Sequence, residues 1–426
     1  MRVCLVYIPP EDNTDGCYIL NPLIGPYLLA GILRDKGYEV EVFDNLCFLN
    51  EDYSELVKKI AEYDVVGISL LTLSWYKVRK FCDDIKELNP HIRIVVGGPH
   101  TVYYDGYILE NSKADAVIRG EGERTFLRYL EGKTGNGMTI RLNSEIIRYP
   151  DAEYLSKEEF KEYYKPAYDL IKYKFPFLAG EFSRGCWNNC LFCSVLYRNR
   201  WRCMADVDTV IESYKRDINL AGNMVKVKDA WLLMDNLLNG DIRWATEVLE
   251  RIAAEGLRIG LACDVLAFQD EGFLKAFRNS KIIFCTLGIE CGYDEGLQRL
   301  GKKFRIKDIE EIAPKIAGVG EITSSFIIGF PWETKIEAEK TLRFARYLRK
   351  YDCFESMNWW IPLPSRLWFN REKYRIKNVD ESIWDGFYSF KNPFHSEWNT
   401  GVFLKTHPGI SQKDYEYLEK IKCEGG

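Results

Sequence analysis

Residues 184–195 read RGCWNNCLFCSV and hold three cysteines, Cys186, Cys190 and Cys193, at the spacing Cys-x3-Cys-x2-Cys. Thiolates bind soft metals and iron–sulfur clusters, and a four-iron cluster usually takes four cysteines. With three, one iron keeps an open coordination position, and an open position on a metal is where substrate chemistry takes place. The apolar run before it, FPFLAGEF (residues 175–182), reads as a strand leading straight into the cysteine loop. The competing reading is a closed zinc site in which Cys203, from RNRWRCM (residues 198–204), is the fourth ligand.

The rest of the composition is that of an ordinary globular chain. Of 426 residues, 46% are hydrophobic and 28% charged, and the net charge is −5. That balance carries no footprint of a nucleic-acid partner. No apolar run is long enough to span a bilayer, and MRVCLVYIPPED has neither the length nor the cleavage site of a signal peptide. The expectation is a cytoplasmic, monomeric protein with no membrane contact. Thirteen cysteines are many, but outside the cluster they are scattered, as small buried hydrophobes are. In a cytosolic chain the clustered ones point to metal and not to a disulfide.

Upstream, strand and helix patterns alternate. RVCLVYI (residues 2–8), YEVEVFD (38–44), DVVGISLL (64–71), IRIVVGG (92–98) and the start of ADAVIRGEGERTFLRYLEG (114–132) read as strands. GPYLLAGILRDKG (25–37), EDYSELVKKIAEY (51–63) and WYKVRKFCDDIKEL (75–88) read as helices, as does the second half of 114–132. This predicts an α/β fold: a Rossmann-like, doubly wound parallel sheet with helices on both faces. Ligands of such sheets lie at the carboxyl edge, here in the loops IPPED, DNLC, LLTLSW, GGPHT and RGEGE. No G-x-G-x-x-G follows the first strand, so nothing favours a dinucleotide.

The cysteine spacing, with the aromatic Phe192 directly before Cys193, resembles the signature of radical S-adenosylmethionine (SAM) enzymes. Later segments match that family in order. AWLLMDNLLNG (230–240) ends a strand in Asp235 and Asn236, LRIGLACDV (257–265) is a third strand, and the fourth ends in Gly288, Ile289, Glu290, Cys291 and Gly292. ITSSFIIGFPWET (322–334) matches the fifth strand, with Ser324 along it and a turn of Gly329, Pro331 and Glu333. MNWWIPLPSRLW (357–368) resembles the sixth strand with its exit at Pro362 and Pro364. The resemblance implies a partial (β/α)6 TIM-type barrel over residues 176–365. It also implies a [4Fe–4S] cluster on Cys186, Cys190 and Cys193, and SAM contacts from Phe192, Asp235, Asn236, Gly288, Glu290 and Ser324. Helix capping competes for Asp235 and Asn236, and turn-shaping for Gly329 and Pro331.

With the barrel recognised, residues 1–133 resemble the cobalamin-binding domain that precedes the cluster in one class of these enzymes. The carrying residues are Gly25 and Pro26 with the following helix–strand unit, VVGGPHT (95–101), and Gly120, Glu121, Gly122 and Glu123. The Asp-x-His-x-x-Gly motif that places histidine below cobalt is absent. The resemblance therefore puts residues 70–75 at the lower face, with Leu71, Thr72 and Trp75 as candidates. Pro9, Gly97, Gly98, Pro99, His100, Gly120, Glu121 and Gly122 are the other expected cobalamin contacts. Residues 134–175 read as a linker and 366–426 as a C-terminal capping region, in which Trp368 and His395, with Trp359 and Trp360 upstream, are substrate-contact candidates weighed against core packing.

The implied activity is that of a cobalamin-dependent radical SAM methyltransferase acting on an unactivated carbon. One SAM would methylate cob(I)alamin, and a second would be cleaved to a 5′-deoxyadenosyl radical. The substrate is a peptide or protein residue or a small metabolite, and a flavodoxin or ferredoxin is the external electron donor. The rival readings are a non-methylating radical rearrangement, cyclisation or SAM cleavage beside cobalamin, and a sensing or scaffolding protein with a structural cluster. No residue is assigned as a catalytic acid or base.

Overall fold

The computed structural model describes residues 1–10, 20–143, 145–194, 200–233, 240–351, 353–378, 380–386 and 397–423. These form two compact units. The first holds residues 1–179, 214–228 and 382–392, and the second residues 180–213, 229–381 and 393–426.

The first unit is built on a seven-stranded sheet. Its strands are β1 (Arg2–Tyr7), β2 (Glu39–Phe43), β3 (Val65–Ser69), β4 (Arg93–Gly97), β5 (Ala116–Ile118), β6 (Met138–Leu142) and β7 (Glu145–Arg148). The order is β2-β1-β3-β4-β5-β6-β7; β1 to β5 pair in parallel, and β6 and β7 join antiparallel. The helices are α1 (Ile24–Asp35), α2 (Asn45–Asn50), α3 (Tyr53–Ile60), α4 (Trp75–Leu88), α5 (Thr101–Asn111), α6 (Gly122–Leu130) and α7 (Lys157–Tyr163). α1 packs with α6, and α3 with α4. β1 is an apolar, β-branched run with five of its six residues buried, as a central parallel strand requires. Asp44 caps α2 by accepting from the Leu46 and Cys47 N–H groups, and it also receives the buried Tyr27 hydroxyl at 2.5 Å. On α1, an ideal Cβ at Gly31 would lie 1.8 Å from the Lys165 carbonyl oxygen, so the chain crosses the helix at backbone distance.

The expected linker is not one. Residues 134–175 supply β6, β7 and α7, and the two strands extend the sheet. Their pattern was unreadable because β7 has no buried side chain and β6 turns exposed after Ile140. α5, hidden behind the Gly-Gly-Pro turn, likewise escaped the pattern.

The second unit carries a six-stranded sheet. Its strands are β8 (Leu178–Gly180), β11 (Ala230–Leu233), β12 (Arg258–Cys263), β13 (Lys281–Glu290), β14 (Glu321–Ile328) and β15 (Cys353–Trp359). The order is β15-β14-β13-β12-β11-β8, and β11 to β15 pair in parallel. A separate antiparallel pair, β9 (Ser183–Cys186) and β10 (Arg200–Cys203), interrupts the entry to the cysteine loop. The helices after β8 are α8 (Val207–Ala221), α9 (Ile242–Ala254), α10 (Glu271–Asn279), α11 (Asp294–Leu300), α12 (Ile306–Ile316), α13 (Lys335–Leu348), α14 (Arg366–Phe369), α15 (Glu397–Thr406) and α16 (Gln412–Cys423). The register puts Cys263, Leu287 and Ser324 on one buried face, and Thr286, Gly288 and Ser325 on the other. No helix among the described residues is long and apolar enough to cross a membrane.

Candidate functional site

Cys186 ends β9, opposite Arg200 of β10, so hairpin hydrogen bonding fixes its backbone. Cys190 and Cys193 lie on the loop beyond it, where the Cys193 N–H donates to the Cys190 carbonyl at 3.3 Å. Neighbouring elements pin this loop. The Leu191 N–H donates to the Leu300 carbonyl at the end of α11, and the Arg366 guanidinium donates to the Asn189 carbonyl at 2.8 Å. Asn188 binds the Asp264 carboxylate at 2.7 Å, and its N–H points at the Cys186 sulfur at 3.3 Å. N–H groups aimed at cysteine sulfur are the hydrogen bonds that tune iron–sulfur clusters.

Burial pushes the Cys190 thiol up to about 11; the Lys302 ammonium works against it, while Cys193, Glu290 and Cys186 add to it. These are the groups gathered round the loop, and a thiol that resists ionising alone, as Cys190 does, suits iron, which ionises it on binding. Cys203 is not a fourth ligand. It lies three residue pairs along the hairpin from Cys186, roughly 10 Å at strand rise, and its thiol donates to the Ala205 carbonyl at 3.0 Å. Among the described residues, no three His, Cys, Asp or Glu side chains, Cys186, Cys190 and Cys193 included, are gathered as a metal site. With Cys203 turned away, the three cysteines at this spacing fit a cluster with one iron left for another ligand better than they fit the zinc alternative.

Next to the loop, β13 ends in a strained residue. Glu290 has φ +73°, rare for a side-chain-bearing residue, and the register with β14 slips between Gly288 and Glu290. Lys302, just past the left-handed Gly301 that stops α11, reaches back to the Gly288 carbonyl at 2.6 Å and the Glu290 carboxylate at 3.3 Å. Both side chains are nearly inaccessible. Burial raises the Glu290 carboxyl, and Lys302 opposes the rise. Strain and a buried ion pair at a strand's carboxyl end are features common at ligand-holding positions.

Sequence reasoning missed Lys302, since nothing in Gly-Lys-Lys says which lysine folds inward. It expects Ser324 as a SAM contact, and the strand register parts that residue from Gly288. Ser324 shares the more buried face with Leu287 and its hydroxyl finds no partner among the described residues, whereas Ser325 stands beside Gly288 on the opposite face. Phe192 packs against Phe330 with centroids 5.7 Å apart. Glu333 is a structural brace: its carboxylate accepts the Gly329 and Phe330 N–H groups at 2.8 and 3.0 Å and the Tyr293 hydroxyl at 2.9 Å. Burial pushes its pKa up to about 7. Trp359, Trp360 and Trp368 are core residues. Asp235, Asn236 and His395 lie outside the described residues.

In the first unit, the carboxyl-edge loops are tied to one another. The Leu70 N–H donates to the Gly97 carbonyl at 2.8 Å, and the Thr72 hydroxyl meets His100 Nδ1 at 3.0 Å. Thr101 bridges the Gly98 and Ile118 carbonyls, both at 2.8 Å. Gly98 has φ +99°, and a Cβ there would lie 2.7 Å from both the Leu70 nitrogen and oxygen. Leu71, Thr72, Gly97, Gly98, Gly120, Glu121 and Gly122 are part-exposed at this edge, and Pro99 is exposed.

Three of the expected contacts, Pro9, Trp75 and His100, are buried. Pro9 is buried, and Trp75 is fully inaccessible, stacked on His100 with centroids 6.1 Å apart. His100 is enclosed by Trp75, Tyr104 and Trp384, and burial lowers its pKa to about 3. These three residues pack into the body of the unit beneath the loops. Glu121 accepts the Leu155 N–H at 2.6 Å, a tie to the segment before α7. The glycine-lined, part-exposed edge fits a large planar cofactor approaching backbone.

Residues 21–130 match the B12 binding domain, and residues 181–345 match the radical SAM superfamily. The chain is a B12-binding radical SAM enzyme. Its cofactors are a [4Fe–4S] cluster, SAM and cobalamin. A Pyrococcus horikoshii protein described as an uncharacterized methyltransferase, PH0819, is 28% identical over 370 residues, covering 82% of this chain and 78% of its own. The anaerobic magnesium-protoporphyrin IX monomethyl ester cyclase of Rubrivivax gelatinosus is 26% identical over 375 residues, covering 81% and 66%. The solved structure of the radical SAM methyltransferase TsrM from Kitasatospora setae, with tryptophan and a SAM analogue bound, superposes with a TM-score of 0.66 at 16% identity, over 87% of this chain and 76% of that one.

Proposed function

We propose that this chain is a methyltransferase that places a methyl group on an unactivated carbon of a peptide or protein residue or a small metabolite. The observation carrying the proposal is the joint presence, on one chain, of a three-cysteine loop, with the Cys203 thiol turned to a carbonyl, and a separate B12-type unit with a glycine-lined loop edge. The methyltransferase relatives support it. When bound, the cluster with SAM supplies a hydrogen-abstracting radical, and cobalamin supplies the methyl group.

The protein's part is positional. Cys186 holds one corner from a hydrogen-bonded strand, while Cys190 and Cys193 hold two more from a loop clamped by Leu300, Asn188 and Arg366. At Gly288 the missing side chain makes way for the Glu290 carboxylate and the Lys302 ammonium, and Glu290, held by Lys302, is the carboxylate for an ammonium or hydroxyl group of SAM. Phe192, against Phe330, covers the loop's apolar side and keeps water from the reacting centre. In the first unit, the Gly97–Gly98 and Gly120–Gly122 backbones form the approach for the corrin or its tail.

The test uses anaerobically reconstituted protein with methyl-deuterated SAM, hydroxocobalamin and a low-potential reductant. Expected are 5′-deoxyadenosine and, separately, S-adenosylhomocysteine with labelled methylcobalamin. Deoxyadenosine without any methylated corrin favours the rival reading, a rearrangement or cyclisation, for which the cyclase relative is the supporting observation. Absence of both products refutes both.

A further inference from the structure

Within the second unit, a cavity of about 770 Å³ opens at the turn after β14 and lies outside the sites above. It is lined by Pro331, Trp332, Glu333 and Thr334 and by four cations, Arg299, Lys373, Arg375 and Lys377. The chain as a whole is acidic, so this concentration of positive charge runs against its average. Among the described residues, none of the four cations has a carboxylate partner. Lys377 spends one donor on the Pro408 carbonyl at 3.1 Å, and the Arg299 guanidinium lies 5.9 Å from the Trp332 ring. The one lining carboxylate, Glu333, is turned inward to the Gly329 and Phe330 N–H groups and to Tyr293. Its raised pKa, about 7, keeps much of it neutral near pH 7. Unneutralised cations in a concave site focus positive potential, and two of these are guanidinium forks that match phosphate.

The wall adds a second recognition element. Trp332 stacks on Phe330 at 5.0 Å with the rings 3° apart, and Tyr374 lies 5.8 Å from Trp332. Arg375, between two lining residues of that segment, is held at φ +54°. The volume is that of an organic ligand, larger than a lone inorganic ion needs. Phe330 also touches Phe192, next to Cys193, so a ligand stacked on Trp332 lies two ring layers, Trp332 and Phe330, from the cluster loop.

We propose that this cavity binds the phosphorylated part of a ring-bearing small molecule, the methyl acceptor of the reaction. The phosphates sit among Arg299, Lys373, Arg375 and Lys377, and the ring stacks on Trp332 and Tyr374. Its role as acceptor site rests on the proposed function; its binding chemistry does not.

The experiment is calorimetric titration of the full chain at low salt with pyrophosphate, UDP and uridine, a pyrimidine series chosen so that an adenosine-binding site does not respond. Pyrophosphate and UDP are expected to bind, uridine at least tenfold more weakly, with affinity falling as salt rises. Arg299→Gln and Lys377→Gln should each weaken UDP and pyrophosphate tenfold or more, while Tyr374→Leu weakens UDP alone. No binding of pyrophosphate or UDP at 1 mM, a scale set at roughly −4 kcal/mol, overturns the proposal, as does unchanged affinity in both charge variants. Variants that slow cluster reduction by an acidic electron-transfer protein without altering anion binding also overturn it, making the surface a protein-docking site. Deoxyadenosine formation, followed in parallel, reports on the radical reaction separately, so the two ideas fail independently.

Discussion

Glu290 combines two costs at one position, a left-handed backbone and a buried carboxylate, and Lys302 offsets the second. Removing one partner of a buried pair leaves an uncompensated charge and costs about 3–5 kcal/mol. Lys302→Met should therefore lower the urea midpoint sharply, while Glu290→Gln, which keeps a group able to accept from Lys302, should lower it less. Equal losses would show that the pair is not the stabilising element. Glu333 makes a pH prediction. Its folded pKa, about 7, lies above the ordinary carboxylate value, so the folded state holds the extra proton. Its contribution is complete below about pH 4.3 and is lost as pH rises through 7, at most about 3–4 kcal/mol. Glu333→Gln should keep the backbone contacts and flatten that part of the stability–pH curve relative to wild type. At this scale the three cysteines were legible because spacing alone carries their chemistry. The inward turn of Lys302 was not, because it is set by the helix stop at Gly301.

At the scale of elements, the loop after β4 shows how backbone proximity replaces side-chain contact. Gly98 leaves no room for a Cβ against the Leu70 backbone, and its φ disfavours any other residue. Gly98→Ala should cost about 1–3 kcal/mol and reduce cobalamin uptake, read by thermal unfolding and corrin absorbance. The cysteine loop makes a second prediction: Cys190→Ala should abolish cluster absorbance and deoxyadenosine formation while the hairpin of β9 and β10 keeps its hydrogen bonds. Retained turnover would refute the cluster assignment. Strands β1, β3 and β4 and helix α4 stood out in the sequence because buried parallel strands are apolar runs and α4 has one apolar face. β6, β7 and the hairpin did not, since short, half-exposed antiparallel strands lack that signature.

At the scale of the whole molecule, the alternation of strand and helix announced two α/β units, but not that the segment between them belongs to the first. β6 and β7 complete that unit's sheet, and the chain returns to it at residues 214–228 and 382–392. Cobalamin should therefore protect amides in all of these segments, not only before residue 133. At a hundredfold excess over Kd, a ligand binding only the folded state adds about 2.7 kcal/mol. Hydrogen exchange with and without hydroxocobalamin checks this; protection confined to residues 1–133 would contradict it.

The near-parallel stack of Trp332 on Phe330, one ring from Phe192, has an optical consequence. An iron–sulfur chromophore beside Cys193 absorbs across the indole emission band. The light emitted by this one tryptophan therefore dims as iron is loaded, and the signal is isolated by subtracting the trace of a Trp332→Phe chain. The protein thus carries its own gauge of maturation, readable in a sealed cuvette before any substrate is known.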